Sequence, residues 1–265
     1  MQRLQPRLMV SLWLAATVLI SACDGGGTSS SDGGEGGTAI ATREMQISAS
    51  IEAEDDVTAE ISVTLYDSKL GNLLLTGGDA LSACVGALCK PLTYEARHSA
   101  YEAELPYLPE TAYTISLSRA GGTGAPNSFV ALPVPFAILA PAPGLDVTDG
   151  DSVTVQWAPA GADDVVDVMA ETRCTHPSMD HLLSLGSLRR GRLAENVDSG
   201  VYVADVDTIL DDRWVIFTPR EPASTCQIVI EVVQKRVGTI DTGFVSGSVR
   251  GVVSRKVTFD YRRRL

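Results

Sequence analysis

The sequence predicts an all-β protein: two tandem antiparallel β-sandwich domains carried behind a signal segment and a flexible tether. Three observations predict it. Short runs that alternate apolar and polar residues recur about every ten residues, the pattern of strands with one buried face. Gly, Pro, Asp and Asn fill the gaps between the runs, where they favour turns. Hydrophobic residues make up 45% of the 265, enough for a substantial core and too many for a disordered chain. The expected divisions are residues 1–22 for the signal segment, 23–41 for the tether, 42–133 for the first sandwich and 134–265 for the second.

The chain starts with a short basic stretch, Arg3 and Arg7, followed by an apolar run from Leu8 to Ile20. At about 13 residues the run is too short to span a bilayer permanently, which is the form of a removable signal peptide. Leu19-Ile20-Ser21-Ala22-Cys23 resembles the lipobox of bacterial lipoproteins. The resemblance implies that the Cys23 thiol is diacylated, that the peptide is cut before it, and that the new amine is acylated. The same pattern recurs at Leu81-Ser82-Ala83-Cys84 without a basic start or an apolar run, so context distinguishes the first. At about 0.8 kcal/mol per buried methylene, three acyl chains anchor a protein without a spanning helix.

From Asp24 to Thr38 the chain is almost wholly Gly, Ser, Thr and acid, a composition that buries too little apolar surface to offset the entropy of ordering. As a flexible tether of about 15 residues it reaches roughly 20 to 25 Å. An Asp directly after the lipidated cysteine favours inner-membrane retention in enteric bacteria, whereas acidic Gly/Ser tethers also occur on surface lipoproteins. A lipid-anchored place in the cell envelope is expected, with the outer membrane favoured and Asp24 leaving the inner membrane open.

In the first domain, Met45 to Ile51 and Ile61 to Leu65 alternate cleanly, and a turn from Asp67 to Asn72 leads to the apolar run Leu73-Leu74-Leu75. After a cysteine-bearing loop, Tyr101 to Leu105, Tyr113 to Leu117 and Val130 to Leu132 continue the pattern. Pro109-Glu110-Thr111-Ala112-Tyr113 resembles the turn into strand F of fibronectin type III and related immunoglobulin-like domains, although Tyr107 stands where that family has Leu. The resemblance implies a tyrosine corner, with the Tyr113 phenol bonded back to the backbone.

Pro133, Pro135, Pro141 and Pro143 bracket Phe136 to Ala140 as a stiff joint that opens the second domain. Ser152 to Pro159 then resembles strand B of the same superfamily, implying that Trp157 packs in the core. Further strands are expected at Val165 to Thr172, Val201 to Val206, Trp214 to Phe217, Cys226 to Gln234 and Val253 to Tyr261. Met179 to Arg190 lacks alternation and is expected to form a helical turn or two over the sandwich. The tether followed by two such domains resembles a group of uncharacterised bacterial lipoproteins over most of the chain, a resemblance that implies no activity.

With Cys23 taken by lipid, four of the 5 cysteines remain, in a compartment where disulfides persist. Four cysteines allow three pairings. Cys84 with Cys89 and Cys174 with Cys226 is favoured because each pair then lies inside one domain; the sequence leaves the other pairings open. Cys84 to Cys89 is not a Cys-x-x-Cys motif, so a thiol-exchange catalyst is not expected. In the immunoglobulin pattern the core tryptophan lies between the cysteines, whereas Trp157 precedes both Cys174 and Cys226, which leaves the strand topology open.

The formal charge of -12 opposes nucleic-acid phosphates and anionic lipid surfaces. With 3 histidines and no Gly-x-Ser-x-Gly, Ser-x-x-Lys or His-Glu-x-x-His sequence, the common hydrolase motifs are missing. Asp146, Asp149 and Asp151 are calcium candidates, since calcium takes six to eight oxygens; Glu52, Glu54, Asp55 and Asp56 form a second acidic turn. His176, Asp180 and His181 lie close in sequence as possible metal ligands, though on a helix the two histidines would point about 140° apart. Arg189, Arg190 and Arg192, and Arg262 to Arg264, form basic patches. Only Trp157 and Trp214 remain after signal removal, so no stacking platform for sugars is evident. The reading is a membrane-anchored envelope lipoprotein without catalysis or cofactor, acting as a structural module or binding a protein partner through its edges or loops. A calcium-dependent surface adhesion module and an envelope enzyme or metal-binding protein are the alternatives.

Overall fold

A computed structural model describes residues 40–160, 164–175, 187–195, 199–210 and 225–263, all within one compact unit, Gly36–Leu265. After a 3₁₀ turn at Thr42–Glu44, the first half of the chain forms β1 Gln46–Ala53, β2 Thr58–Asp67, β3 Gly71–Asn72, β4 Ala80–Val85, β5 Leu88–Pro91, β6 Thr93–Glu95, β7 Ala100–Pro106, β8 Ala112–Ser118 and β9 Ala125–Ala131. The second half adds β10 Ala137–Ala140, β11 Asp146–Val147, β12 Ser152–Ala158, β13 Val165–Thr175, β14 Ser187–Ala194, β15 Val201–Asp205, α1 Val206–Leu210, β16 Thr225–Val237 and β17 Ser246–Arg262. The protein is all-β and its pairing is predominantly antiparallel.

Alternation decides which side of each strand is buried. Ile47, Ala49, Ile51 and Ala53 of β1 face the core together with Ala59, Ile61, Val63 and Leu65 of β2. From the smaller sheet come Leu81, Ala83 and Val85 of β4, and Tyr113, Ile115 and Leu117 of β8. Burying each large side chain is worth about 1.5–3 kcal/mol, and a one-residue slip would turn the whole set to solvent. The register is therefore set by the pattern itself.

Among the described residues three sheets result. The largest runs β14-β13-β16-β17-β1-β2-β7-β6, with β11 beside β17 and β3 beside β2; the others run β5-β4-β8-β9 and β10-β12-β15. β17 links the halves of the largest sheet. It pairs in parallel with β1 from Gln46↔Ser246 to Ala53↔Val253, and antiparallel with β16 from Val237↔Arg250 to Thr225↔Arg262. Residues 42–133 therefore have strand β1 flanked by a strand from the far end of the chain, and one sheet joins strands on both sides of residue 133. Gly247 makes the close approach to β1 possible, since a Cβ there would stand 2.0 Å from the Ile47 carbonyl oxygen.

Several expectations need correction. The loop expected around Cys84 and Cys89 is a hairpin of β4 and β5, with Val85 opposite Leu88. Its two-residue turn is Gly86-Ala87, and Gly86 has φ +57°, which suits a type II′ turn. Leu73 to Leu75 form no strand; the Leu75 N–H instead donates to the Tyr101 phenol oxygen at 2.5 Å. Ser187 to Arg190, expected as part of a helical turn, belong to β14, drawn into extended form by the free edge of β13. The last strand starts at Ser246 rather than Val253, because its polar, glycine-containing first half serves as partner to β1. Trp214 to Phe217 lie outside the described residues.

The joint between the halves is held by more than prolines. The Pro133 carbonyl accepts from the Tyr107 hydroxyl at 3.1 Å, and the Leu132 carbonyl accepts from the Glu110 N–H at 3.1 Å. Trp157 is 2% exposed, in the core as its resemblance implied. The tyrosine corner is also formed: the Tyr113 hydroxyl donates to the Pro106 carbonyl at 2.7 Å and accepts from the Leu108 N–H at 2.7 Å. Replacing Tyr113 by Phe strands both backbone groups while keeping the ring, and is expected to lower unfolding free energy by about 1–3 kcal/mol in a denaturant titration.

Candidate functional site

Polar chemistry in this fold begins where a charge occupies the buried side of a strand. The inward series of β8, Tyr113, Ile115 and Leu117, continues to Arg119, whose Nε lies 2.6 Å from Asp79 Oδ2 with both side chains buried. The same guanidinium donates to the Ile40 carbonyl at 3.1 Å and to the Thr42 hydroxyl at 3.2 Å. It ties the point where the chain enters the fold to the smaller sheet. On β16 the inward series Ile228, Ile230, Val232, Gln234 continues to Arg236, which grips buried Asp164 through Nε at 2.6 Å and Nη2 at 2.9 Å. On the opposite face, Asp167 is buried beside Lys235, with Arg192 at 3.5 Å. Sequence reading passed over these pairs, although a charge continuing an inward apolar series was the signal available. Their partners are intramolecular, so they brace the fold.

The calcium candidates sit in the turn region from β11 to β12, and the fold separates their tasks. Asp151 Oδ2 accepts from the Thr148 N–H at 2.8 Å and hydroxyl at 2.9 Å. Asp149 accepts from the Tyr261 hydroxyl, and Asp146 lies 3.5 Å from the Arg262 guanidinium. In the second acidic turn, Asp55 accepts from the Val57 and Thr58 N–H groups at 2.9 and 2.8 Å, bonds that hold its carboxyl below the usual range. Glu54 pairs with Lys256 at 2.9 Å and Asp56 with Arg255. Among the described residues no group of three or more His, Cys, Asp or Glu is arranged to hold a metal. His176, Asp180, His181, Cys23 and Arg264 lie outside the described residues, while Arg189 and Arg190 lie on β14, at the edge of the large sheet.

Both disulfides join the favoured partners: Cys84 with Cys89 and Cys174 with Cys226. Each bridges directly opposed residues on neighbouring strands of one sheet, β4 with β5 and β13 with β16. The second bridge therefore differs from the immunoglobulin arrangement, in which the bridge crosses between sheets.

Among the described residues, two shallow grooves lie on the large sheet. One is lined by Gln46, Ser48, Thr64, Tyr66, Ser246 and Ser248, rich in hydroxyl and amide groups. The other is lined by Met169, Glu171, Val229, Glu231 and Lys256, and there Lys256 lies 3.7 Å from Glu231. The exposed His98 is engaged by Glu102 at 2.6 Å. These surfaces offer hydrogen bonds and paired charges. No described helix is long and apolar enough to cross a membrane.

No protein-family model matches the chain, and no curated protein matches it. Similar solved structures include a cytokine receptor complex, at 10% identity and a TM-score of 0.29, covering 79% of this chain and 94% of that one. The adhesin InvE of Yersinia pseudotuberculosis is 18% identical with a TM-score of 0.23, covering 82% and 59%. Fibronectin(III)-like modules of CbhA from Clostridium thermocellum are 11% identical with a TM-score of 0.23, covering 81% and 94%. Values this low assign neither partner nor activity, and the all-β assignment rests on the strand pairing.

Burial, reinforced by Asp149, pushes the Tyr261 phenol up to about 12, and burial does the same for Tyr107. A phenol held neutral by folding contributes stability that is fully present below its unfolded value of about 10 and is lost as pH rises towards 12. Melting temperature is expected to fall between pH 10 and 12, and Tyr261→Phe to fall less steeply over that window than the native protein. Equal slopes would remove Tyr261 from the alkaline transition.

Proposed function

We propose that this chain is a lipoprotein of the bacterial cell envelope, anchored through Cys23, whose joined sandwiches hold or position a protein partner without catalysing a reaction. The observation that carries the reading is the path of β17, hydrogen-bonded to β1 along one part and to β16 along the other. A continuous strand makes the two halves one stiff body, suited to presenting a surface at a fixed spacing from its anchor. The Arg119 guanidinium donates to the Ile40 carbonyl and the Thr42 hydroxyl, which fastens the first described residues to the fold. The paired disulfides suit a compartment outside the cytoplasm, and the outer membrane is the favoured location. The calcium reading gains no support from geometry, because Asp146, Asp149 and Asp151 each serve a different partner.

In cells fed labelled palmitate, the native protein is expected to carry label and sediment with membranes, and Cys23→Ala to lose the label and move to the soluble fraction. Unlabelled native protein that stays with membranes would overturn the anchor. Turnover of a small-molecule substrate by the purified protein would overturn the non-catalytic role.

A further inference from the structure

The two disulfides occupy opposite environments. Cys174 and Cys226 are each 3% exposed inside the second half's core. Cys84 is half-buried and Cys89 exposed; since Ala83 and Val85 face the core, the bridge lies on the outer face of its sheet. It also staples an edge. β5 pairs only with β4 in the sheet order, and all four of its residues, Leu88 to Pro91, are exposed.

From this arrangement we propose that Cys84–Cys89 is a reducible bridge, the target of an external dithiol, and that its opening releases β5 from β4 while the fold persists. Access and loop size both point this way. A thiolate must reach a sulfur to exchange with it, and only the Cys84–Cys89 bridge is open to solvent without prior local unfolding. A disulfide's constraint on the unfolded chain grows with the loop it closes; here the sequence separation is 5, against 52 for Cys174–Cys226. The outer bridge therefore governs a hairpin, and the inner one governs the second half.

The exchange balances with a dithiol as reductant. One of its thiolates attacks Cys89 Sγ, forming a mixed disulfide and expelling the Cys84 thiolate. The second thiol, as thiolate, attacks the reductant's own sulfur in that mixed disulfide, closing the reductant's ring and expelling Cys89. Two electrons pass from reductant to bridge, and the two thiol protons end on Cys84 and Cys89. Without the staple, β5 is held to β4 by the short ladder from Ser82↔Pro91 to Val85↔Leu88 and, just beyond it, by the Leu92 N–H donating to the Leu81 carbonyl at 2.9 Å; its departure bares the β4 backbone as an edge able to accept another strand.

The test uses the folded, purified protein with graded dithiothreitol, iodoacetamide trapping and peptide mass mapping, followed by hydrogen exchange. Trapping at Cys84 and Cys89 is expected to run on the order of tenfold or more faster than at Cys174 and Cys226, which wait for local opening. Exchange should quicken over residues 82–91 and stay unchanged in β13, β16 and β17. The Cys84→Ser/Cys89→Ser double variant should reproduce that local quickening without reductant. Simultaneous trapping at all four cysteines, trapping only after unfolding, or a double variant with unchanged exchange over 82–91 would each overturn the proposal. Because no membrane is involved, the result does not depend on the anchor.

Discussion

The backbone of β17 must find partners along 17 residues, and the largest sheet is organised by how it does so. Buried N–H and C=O groups are costly unless paired. The early part of β17 meets that requirement against β1, the later part against β16, and at Asp260 and Tyr261 against β11 as well. A strand threaded in this way leaves neither half of the large sheet complete alone. The first strand of the chain pairs with its last one and β2 follows β1 in the sheet, so the two ends of the large sheet's chain segment are fastened to each other. Between Arg250 and Val253 the strand has neighbours on both sides at once, so the passage from one half to the other is itself sheet.

Charged pairs reinforce the same passage. Arg236 stands at the end of β16, close to where β17 turns its pairing towards β1, and its grip on Asp164 extends to the Leu132 carbonyl at 3.5 Å. Removing one partner of such a buried pair leaves an uncompensated charge, at a cost of about 3–5 kcal/mol. The pair therefore holds the alignment of the halves firmly even where its net contribution to stability is small. Arg119 plays the same part at the entry of the chain.

Much of the fold was legible because strand parity is a local property. Ile47, Ile61, Ile115 and Ile230 each sit in an alternating run, and each is buried on the side that alternation named. The tyrosine corner was legible because Pro109, Thr111 and Tyr113 carry it within five residues. Pairing partners were less legible, since nothing in Ser246 to Val253 states that its neighbour lies two hundred residues earlier. The β4–β5 hairpin was readable in principle from Gly86-Ala87 flanked symmetrically by Cys84 and Cys89, but the cysteines drew the reading towards a loop. For the candidate site, acidic spacing brought Asp146, Asp149 and Asp151 to notice, while the residues that engage them, Arg262 and Tyr261 above all, arrive from the far end of the chain. A one-dimensional pattern shows which carboxylates are near one another; their occupation is decided by tertiary neighbours.

If β17 makes the two halves one body, they must unfold together. Scanning calorimetry of the oxidised protein tests this most directly. The account predicts a single transition whose calorimetric and van't Hoff enthalpies agree, as expected of one cooperative unit. Two resolved transitions, or a calorimetric enthalpy about twice the van't Hoff value, would show halves that melt independently and contradict the account.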